Sequence, residues 1–252
     1  MTFCDSHIHL ACCKNLPCFP ENTFYRAVSC SHEKIEFYKS EEFFKNFSEP
    51  SDVLLAYGLH PQVFFSKEEL SGSILFLEEL LSKKRISVIG ETGFDFFTKE
   101  FRENIKMQRK AFEACLSLGI KYNVPLVIHD RKALDILFEY KALLKKVTKV
   151  VFHSFAFSSR EAKSLLSNGI NAYFSFGKQI LNGNKKSIEC VKLLPFERVL
   201  LETDAPYQTL KGEEYTPPED IIKVYRACSE LKNISIEEVS FQMEKNFLDA
   251  FL

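Results

Sequence analysis

Seven side chains able to ligate a cation or carry a proton stand at the ends of apolar runs: His7, His9, His60, Glu91, His129, His153 and Asp204. The first two form the pair His7-x-His9 behind a strand-like entry. Residues i and i+2 of a strand point to one face, so both imidazoles converge. Nitrogen and carboxylate donors without thiolate suit zinc, manganese, iron or nickel, or magnesium-assisted chemistry. One tetrahedral ion cannot use so many donors. Two divalent ions bridged by a carboxylate account for them, and such a pair ~3.5–4 Å apart activates water and polarises a phosphoryl or carbonyl oxygen. The implied reaction class is hydrolysis. Of the six histidines, only His32 is read as lying off a strand end.

Such a constellation needs strands that all end at one rim. The candidate strands are the entry to His7, then Tyr25–Cys30, the run from Val53 to His60, Ile86–Glu91, Pro125–His129, Lys149–His153, Asn171–Gly177 and Arg198–Asp204. Continuous apolar runs of this kind suit strands buried on both faces. Helical spacing recurs between them, at 67–84, 103–122, 132–145, 159–168 and 185–194, with two closing helices at 217–232 and 235–252. An amphipathic stretch rich in Glu, Lys and Phe follows the second strand. Alternation of strand and helix implies a parallel α/β architecture. An open doubly wound sheet would carry a Gly-rich loop after its first strand, where this chain has His-x-His. The expectation is a TIM (β/α)8 barrel forming a single domain over 1–252, with the active site at the C-terminal ends of its strands.

Composition narrows the function classes. The 252 residues carry 33 basic and 34 acidic side chains, a net charge of −1, which excludes a protein that coats nucleic acid by bulk charge but leaves room for a local phosphate-binding cleft. No apolar run is long enough for a membrane span and no basic-plus-apolar leader is visible, so a soluble, cytoplasmic chain is expected, with no membrane or obligate protein partner. The eight cysteines are expected as reduced, partly buried thiols. Cys12, Cys13 and Cys18 cluster behind the histidine pair but have no partner groups at zinc-finger spacing. Most of the 25 Phe are read as packing residues.

Asp5-Ser-His-Ile-His, Gly58-Leu-His-Pro, Gly90-Glu-Thr-Gly-Phe-Asp95, Ile128-His-Asp-Arg-Lys-Ala133, Phe152-His-Ser-Phe, Glu202-Thr-Asp-Ala-Pro-Tyr207 and the closing Asn246-Phe-Leu occur in the order of the motifs of TatD-type metal-dependent DNases. The chain resembles that family, a branch of the amidohydrolase superfamily of barrels, over nearly its whole length. The resemblance implies that His7, His9 and Asp204 hold one ion, that Glu91 bridges, and that His129 and His153 hold the second. It further implies that Asp204 orients the attacking water and accepts its proton. His60 would lie behind the ligands or touch the scissile phosphate, and Arg131 would reach substrate phosphate. Glu202, two residues before Asp204, is expected on the same strand face one layer deeper, where it would accept the second N–H of a metal-bound histidine. Asp95, after a glycine turn, is expected either to do likewise or to cap a helix. The expected cofactors are two divalent ions (zinc, magnesium, manganese or similar), and the expected substrate is DNA, single-stranded or at frayed ends.

The chain departs from the family pattern in three places. Thr92 replaces an aliphatic residue, Ala156-Phe157-Ser158 stands where a glycine is usual, and Lys211-Gly-Glu-Glu-Tyr-Thr-Pro-Pro replaces a loop carrying a base and an amide. That acidic loop is expected to approach the substrate. With the near-neutral charge it keeps an alternative open: an ester or amide hydrolase of the same superfamily, such as an aminoacyl-tRNA deacylase or a lactonase. Phe155, Phe157 and Tyr207 are candidates to stack an unpaired base, although core packing is the simpler expectation for each.

Overall fold

The structure, a computed structural model, describes residues 1–15, 17–21, 23–45 and 53–252. Among these, eight strands pair in sequence order, every neighbouring pair parallel. They are β1 (Thr2–Ile8), β2 (Phe24–Ser31), β3 (Val53–Tyr57), β4 (Val88–Asp95), β5 (Leu126–Arg131), β6 (Val150–Phe152), β7 (Ala172–Phe176) and β8 (Val199–Leu201). The helices are α1 (Lys34–Phe44), α2 (Lys67–Ser82), α3 (Lys99–Glu103), α4 (Ile105–Tyr122), α5 (Leu134–Glu139), α6 (Lys141–Leu144), α7 (Ser159–Ser167), α8 (Lys185–Leu193), α9 (Ile221–Lys232) and α10 (Ile236–Phe251). The ring closes where the first and last strands meet. The Asp204 N–H donates to the His7 carbonyl at 3.0 Å and the His9 N–H to the Ala205 carbonyl at 2.8 Å. This is the expected TIM barrel.

Each strand contributes to one apolar cluster: Cys4, Val28, Ala56, Val88, Val127, Val151, Tyr173 and Leu200, plugged by Phe247 and Phe251 of α10. Side chains alternate faces along a strand, so the residues two places further on share the interior face, nearer the C-terminal rim. Those residues include His129, His153 and Glu202. The apolar cluster is thus the floor on which the polar site is built. Capping boxes start the flanking helices, Ser66 with Glu69 on α2, Ser158 with Glu161 on α7 and Ser235 with Glu238 on α10. Ser158, one of the departures from the family pattern, therefore has a structural reason to be serine.

Several elements differ from the sequence expectation. The helix expected over 132–145 is two short helices, α5 and α6, meeting at Tyr140. The strand ending at Glu91 runs on through Asp95, because Gly93 takes φ +143° and lets β4 continue past a register shift between Ile89 and Thr92. A Cβ at Gly93 would lie 2.0 Å from the His129 carbonyl oxygen, so no other residue fits there. Gly93→Ala is expected to lower the unfolding free energy by about 3 kcal/mol, read from the urea midpoint, since strained dihedral and backbone overlap act together. Gly58 has the same steric role: its Cβ would lie 2.5 Å from the Glu91 carbonyl oxygen.

Candidate metal centre

The carboxylate of Glu91 sits in the middle of the rim, almost fully buried, with imidazoles on both sides. Its Oε1 lies 2.7 Å from His129 Nδ1, 2.7 Å from His153 Nε2 and 3.2 Å from His60 Nε2. Its Oε2 lies 3.2 Å from His7 Nε2, 3.6 Å from His9 Nε2 and 3.4 Å from His32 Nε2. Asp204 Oδ1 completes this second side at 3.5 Å from His7 and 3.3 Å from His9. The seven residues singled out from the sequence all converge here.

His32 corrects the sequence reading. β2 runs to Ser31 rather than Cys30, and His32 is the next residue, so it too stands at a strand end. All six histidines therefore line one rim. The signal is a histidine just beyond an apolar run, which becomes visible once that run is extended through Ser31.

Each ring is oriented by what its other nitrogen meets. His129 turns Nε2 to Asp95 Oδ2 at 3.0 Å, and Asp95 is itself held by the Gln62 amide at 2.8 Å and the Phe97 N–H at 2.7 Å. Asp95 thus occupies the place expected of it. Glu202 comes close without completing its expected bond: Oε1 lies 3.6 Å from His153 Nδ1 and accepts the Ser154 N–H at 2.8 Å instead. Nor do Glu202 and Asp204 share a strand face, since β8 stops at Leu201 and Asp204 takes φ +55°. His60 Nδ1 accepts the Gln62 N–H at 3.3 Å, which leaves the proton on Nε2 for Glu91. His7 Nδ1 meets the Cys30 thiol at 3.4 Å. Asp5 braces β1 by accepting from Thr203 N at 2.9 Å, Thr203 Oγ1 at 2.6 Å and Tyr25 OH at 3.1 Å.

Charge follows from this crowding. Burial opposes ionisation of Glu91, but His153, His60 and His7 around it draw its carboxyl well below the usual range. Asp204 is likewise opposed by burial and drawn down to about 2 by His9, His7 and His153. Burial pulls the imidazoles of His7, His9, His60, His129 and His153 down. Contacts with Glu91 and Glu202 more than offset it at His153, whereas His60 falls to about 3 and stays neutral. Protons held here by clustered imidazoles occupy positions where nitrogen lone pairs could serve a cation instead.

The donor set fits divalent ions. His7, His9 and Asp204 place one ligand atom each within 4.8 Å of one another, as do His7, Glu91 and His153, and also His60, Glu91 and His129. The Nε2 atoms of His7 and His9 lie 3.1 Å apart beside the carboxylates of Glu91 and Asp204, so both nitrogens would face a single cation held there.

The centre opens into a cavity of about 640 Å³. Arg131 lies on its rim, half-exposed, stacked on the Phe97 ring at 4.0 Å and 3.8 Å from Asp95. Tyr207 is half-exposed, edge-on to the His9 ring at 5.1 Å. Phe155 is buried in the core and Phe157 packs against it, so neither serves as a stacking surface. Gln208, absent from the sequence expectation, donates to Asp204 Oδ2 at 2.9 Å and Ser154 Oγ at 2.7 Å.

The acidic loop does not face the cavity as expected. Glu213 pairs at 2.5 Å with the fully buried Lys178, which also binds Asp220 at 2.5 Å and Thr216 at 3.1 Å. A buried ammonium needs such partners. Glu213 of this loop, with Asp220 just beyond it, answers Lys178, which has no place in the sequence expectation. All eight cysteines are free, as expected, with Cys18 exposed and Cys12 partly so. No helix among the described residues is long and apolar enough to cross a membrane.

Comparison with known proteins places this geometry among relatives. A family model described as TatD related DNase matches residues 4–252. An uncharacterised metal-dependent hydrolase of Buchnera aphidicola is 32% identical over 205 residues, spanning 79% of this chain and 74% of the relative. The crystal structure of YJJV, a TatD homologue of Escherichia coli, matches with a TM-score of 0.81 at 22% identity, over 99% of this chain and 97% of that one. A lactonase from Listeria monocytogenes shares the fold, with a TM-score of 0.58 at 11% identity over 90% of this chain and 81% of that one.

Proposed function

The chain belongs to the TatD-related DNase family of metal-dependent hydrolases, and from that premise we propose that it cleaves DNA phosphodiester bonds, at single strands or frayed ends. The observation that carries this is Glu91, each of whose oxygens faces its own set of imidazoles. On this reading His7, His9 and Asp204 hold one ion on the Oε2 side, and His129 and His153 hold another on the Oε1 side. Bound divalent ions would make water acidic enough to attack at neutral pH and would draw charge from the phosphoryl oxygens.

The remaining work falls to the chain. Asp204 is ionised throughout the working pH range, and the Gln208 amide fixes its Oδ2 so that Oδ1 faces the histidine pair. It is thereby placed to orient the attacking water and accept its proton. His60, neutral and carrying its proton on Nε2, is a donor for Glu91 or, once substrate enters, for a phosphate oxygen. Arg131, held flat on Phe97, offers its guanidinium fork to the substrate phosphate, and Tyr207 offers a ring to an unpaired base.

A second reading, hydrolysis of a lactone or another uncharged ester, is favoured by one observation: Arg131 is the single Lys or Arg among the described residues lining the cavity. A labelled single-stranded oligonucleotide incubated with Mg²⁺, Mn²⁺ or Zn²⁺ tests the first reading. Cleavage is expected, with affinity falling about fivefold to tenfold between 50 and 200 mM salt if two phosphates are contacted. Hydrolysis of a lactone panel without DNA cleavage would favour the second.

A further inference from the structure

We propose that His32 is an additional metal ligand, joining His7, His9 and Asp204 on the Oε2 side of Glu91; this rests on the two-ion reading and deepens it. Its Nε2 lies 3.4 Å from Glu91 Oε2, and His9, His32 and Glu91 each place a ligand atom within 4.8 Å of the others. The ring packs against His9 at 5.2 Å and His60 at 4.5 Å between centroids. Its side chain is only 15% exposed.

What separates His32 from its neighbour is the state of the two ring nitrogens. His60 is committed: Nδ1 accepts the Gln62 N–H, so Nε2 must carry the proton and cannot offer a lone pair. His32 Nδ1 is buried without any hydrogen-bond partner. No donor claims the Nδ1 lone pair as Gln62 does in His60, so the tautomer with the proton on Nδ1 is not excluded by a hydrogen bond, and it leaves the Nε2 lone pair on the side facing Glu91. The main chain beneath the ring is also built to hold it in place. Glu36 Oε2 accepts the His32 N–H at 2.8 Å and the Glu33 N–H at 3.2 Å, fixing the turn between β2 and α1. An imidazole delivered by a clamped backbone, with Nε2 turned toward a cluster of donors, is placed to serve as a ligand.

The two ions would then be unequal. On the Oε2 side two groupings share His9, one of His7, His9 and Asp204 and one of His9, His32 and Glu91; the Oε1 side offers His129, His153 and Glu91. Drawn onto one ion, the five residues of the Oε2 side would exceed a tetrahedral zinc set and, being rich in nitrogen, would suit an octahedral first-row ion such as iron, cobalt or nickel better than magnesium. The first ion is expected to be held tightly and nearly saturated. The second keeps open positions and exchanges readily.

Calorimetric titration of the metal-free protein with Co²⁺, alongside the visible spectrum of bound Co²⁺, tests this in wild type, His32→Ala and His32→Gln. Wild type is expected to take up two ions of distinct affinity. His32→Ala should weaken the tighter one about tenfold or more, leave the other unchanged, and intensify the d–d band of the first equivalent as its coordination number falls. His32→Gln, which fills the same space, should show the same weakening, and melting of the metal-free variants reports whether each folds. Two ions bound by wild type, with affinities and spectrum unaltered in both folded variants, would overturn the role of His32. A wild type that binds no Co²⁺ would overturn the two-ion reading itself, and this inference with it.

Discussion

Asp204→Asn is expected to slow hydrolysis about a thousandfold while the protein still folds and still takes up metal. Positioned proton transfer contributes roughly 10² to 10⁴ in rate, and the amide cannot accept the proton that the carboxylate would take. The Asp204 N–H to the His7 carbonyl is untouched by the substitution. A side-chain amide whose oxygen stays toward the histidine pair turns its NH₂ to Gln208, whose own amide must flip to accept from it, with the Ser154 hydroxyl then donating to Gln208. His7, His9 and Glu91 remain to hold the ion on that side. The measurement is turnover at saturating metal, with bound metal quantified on the same sample. Equal turnover in wild type and variant would remove Asp204 from the proposed mechanism, whereas equal loss of metal and activity would make it a ligand only.

Glu91→Gln should have the larger effect on the cofactors. Both oxygens of this carboxylate are engaged, one by each set of imidazoles, and an amide has a single oxygen to offer. One set must then face an NH₂ group and the other a neutral carbonyl, while the negative charge that offsets the imidazoles is gone. Metal retained after gel filtration is expected to fall from two ions per chain to one or fewer, with affinity for the survivor weakened about a hundredfold. Retention of both ions would show that Glu91 does not bridge.

Much of this site could be read from residue types at strand ends, because barrel geometry turns sequence position into location. Any polar residue just past an apolar strand arrives at the same rim. That logic found His129, His153 and Glu91, and it covered His32 as well; the miss came from ending the second strand at Cys30. It failed where the backbone leaves the strand. Two-residue alternation cannot follow Asp204 through a left-handed dihedral, so the expected pairing of Glu202 with Asp204 on one face dissolved. It also could not anticipate partners supplied across the ring, such as Gln208 for Asp204 or Lys178 for Glu213. Charge in a loop looks like a surface property in one dimension; only the fold reveals that a buried lysine from β7's end is its counterpart.

Lys178 has a bearing on how firmly the chain after β8 is held. Lifting the segment from Leu210 to Asp220 off the barrel would leave an ammonium stranded in the interior and strip Glu213 and Asp220 of their counterion. Parting such a buried pair costs about 3–5 kcal/mol, so the lifted state is sparsely populated. The segment lines none of the cavity, yet it is riveted to the barrel by charge. It acts as a strap on the scaffold rather than as a jaw over the site.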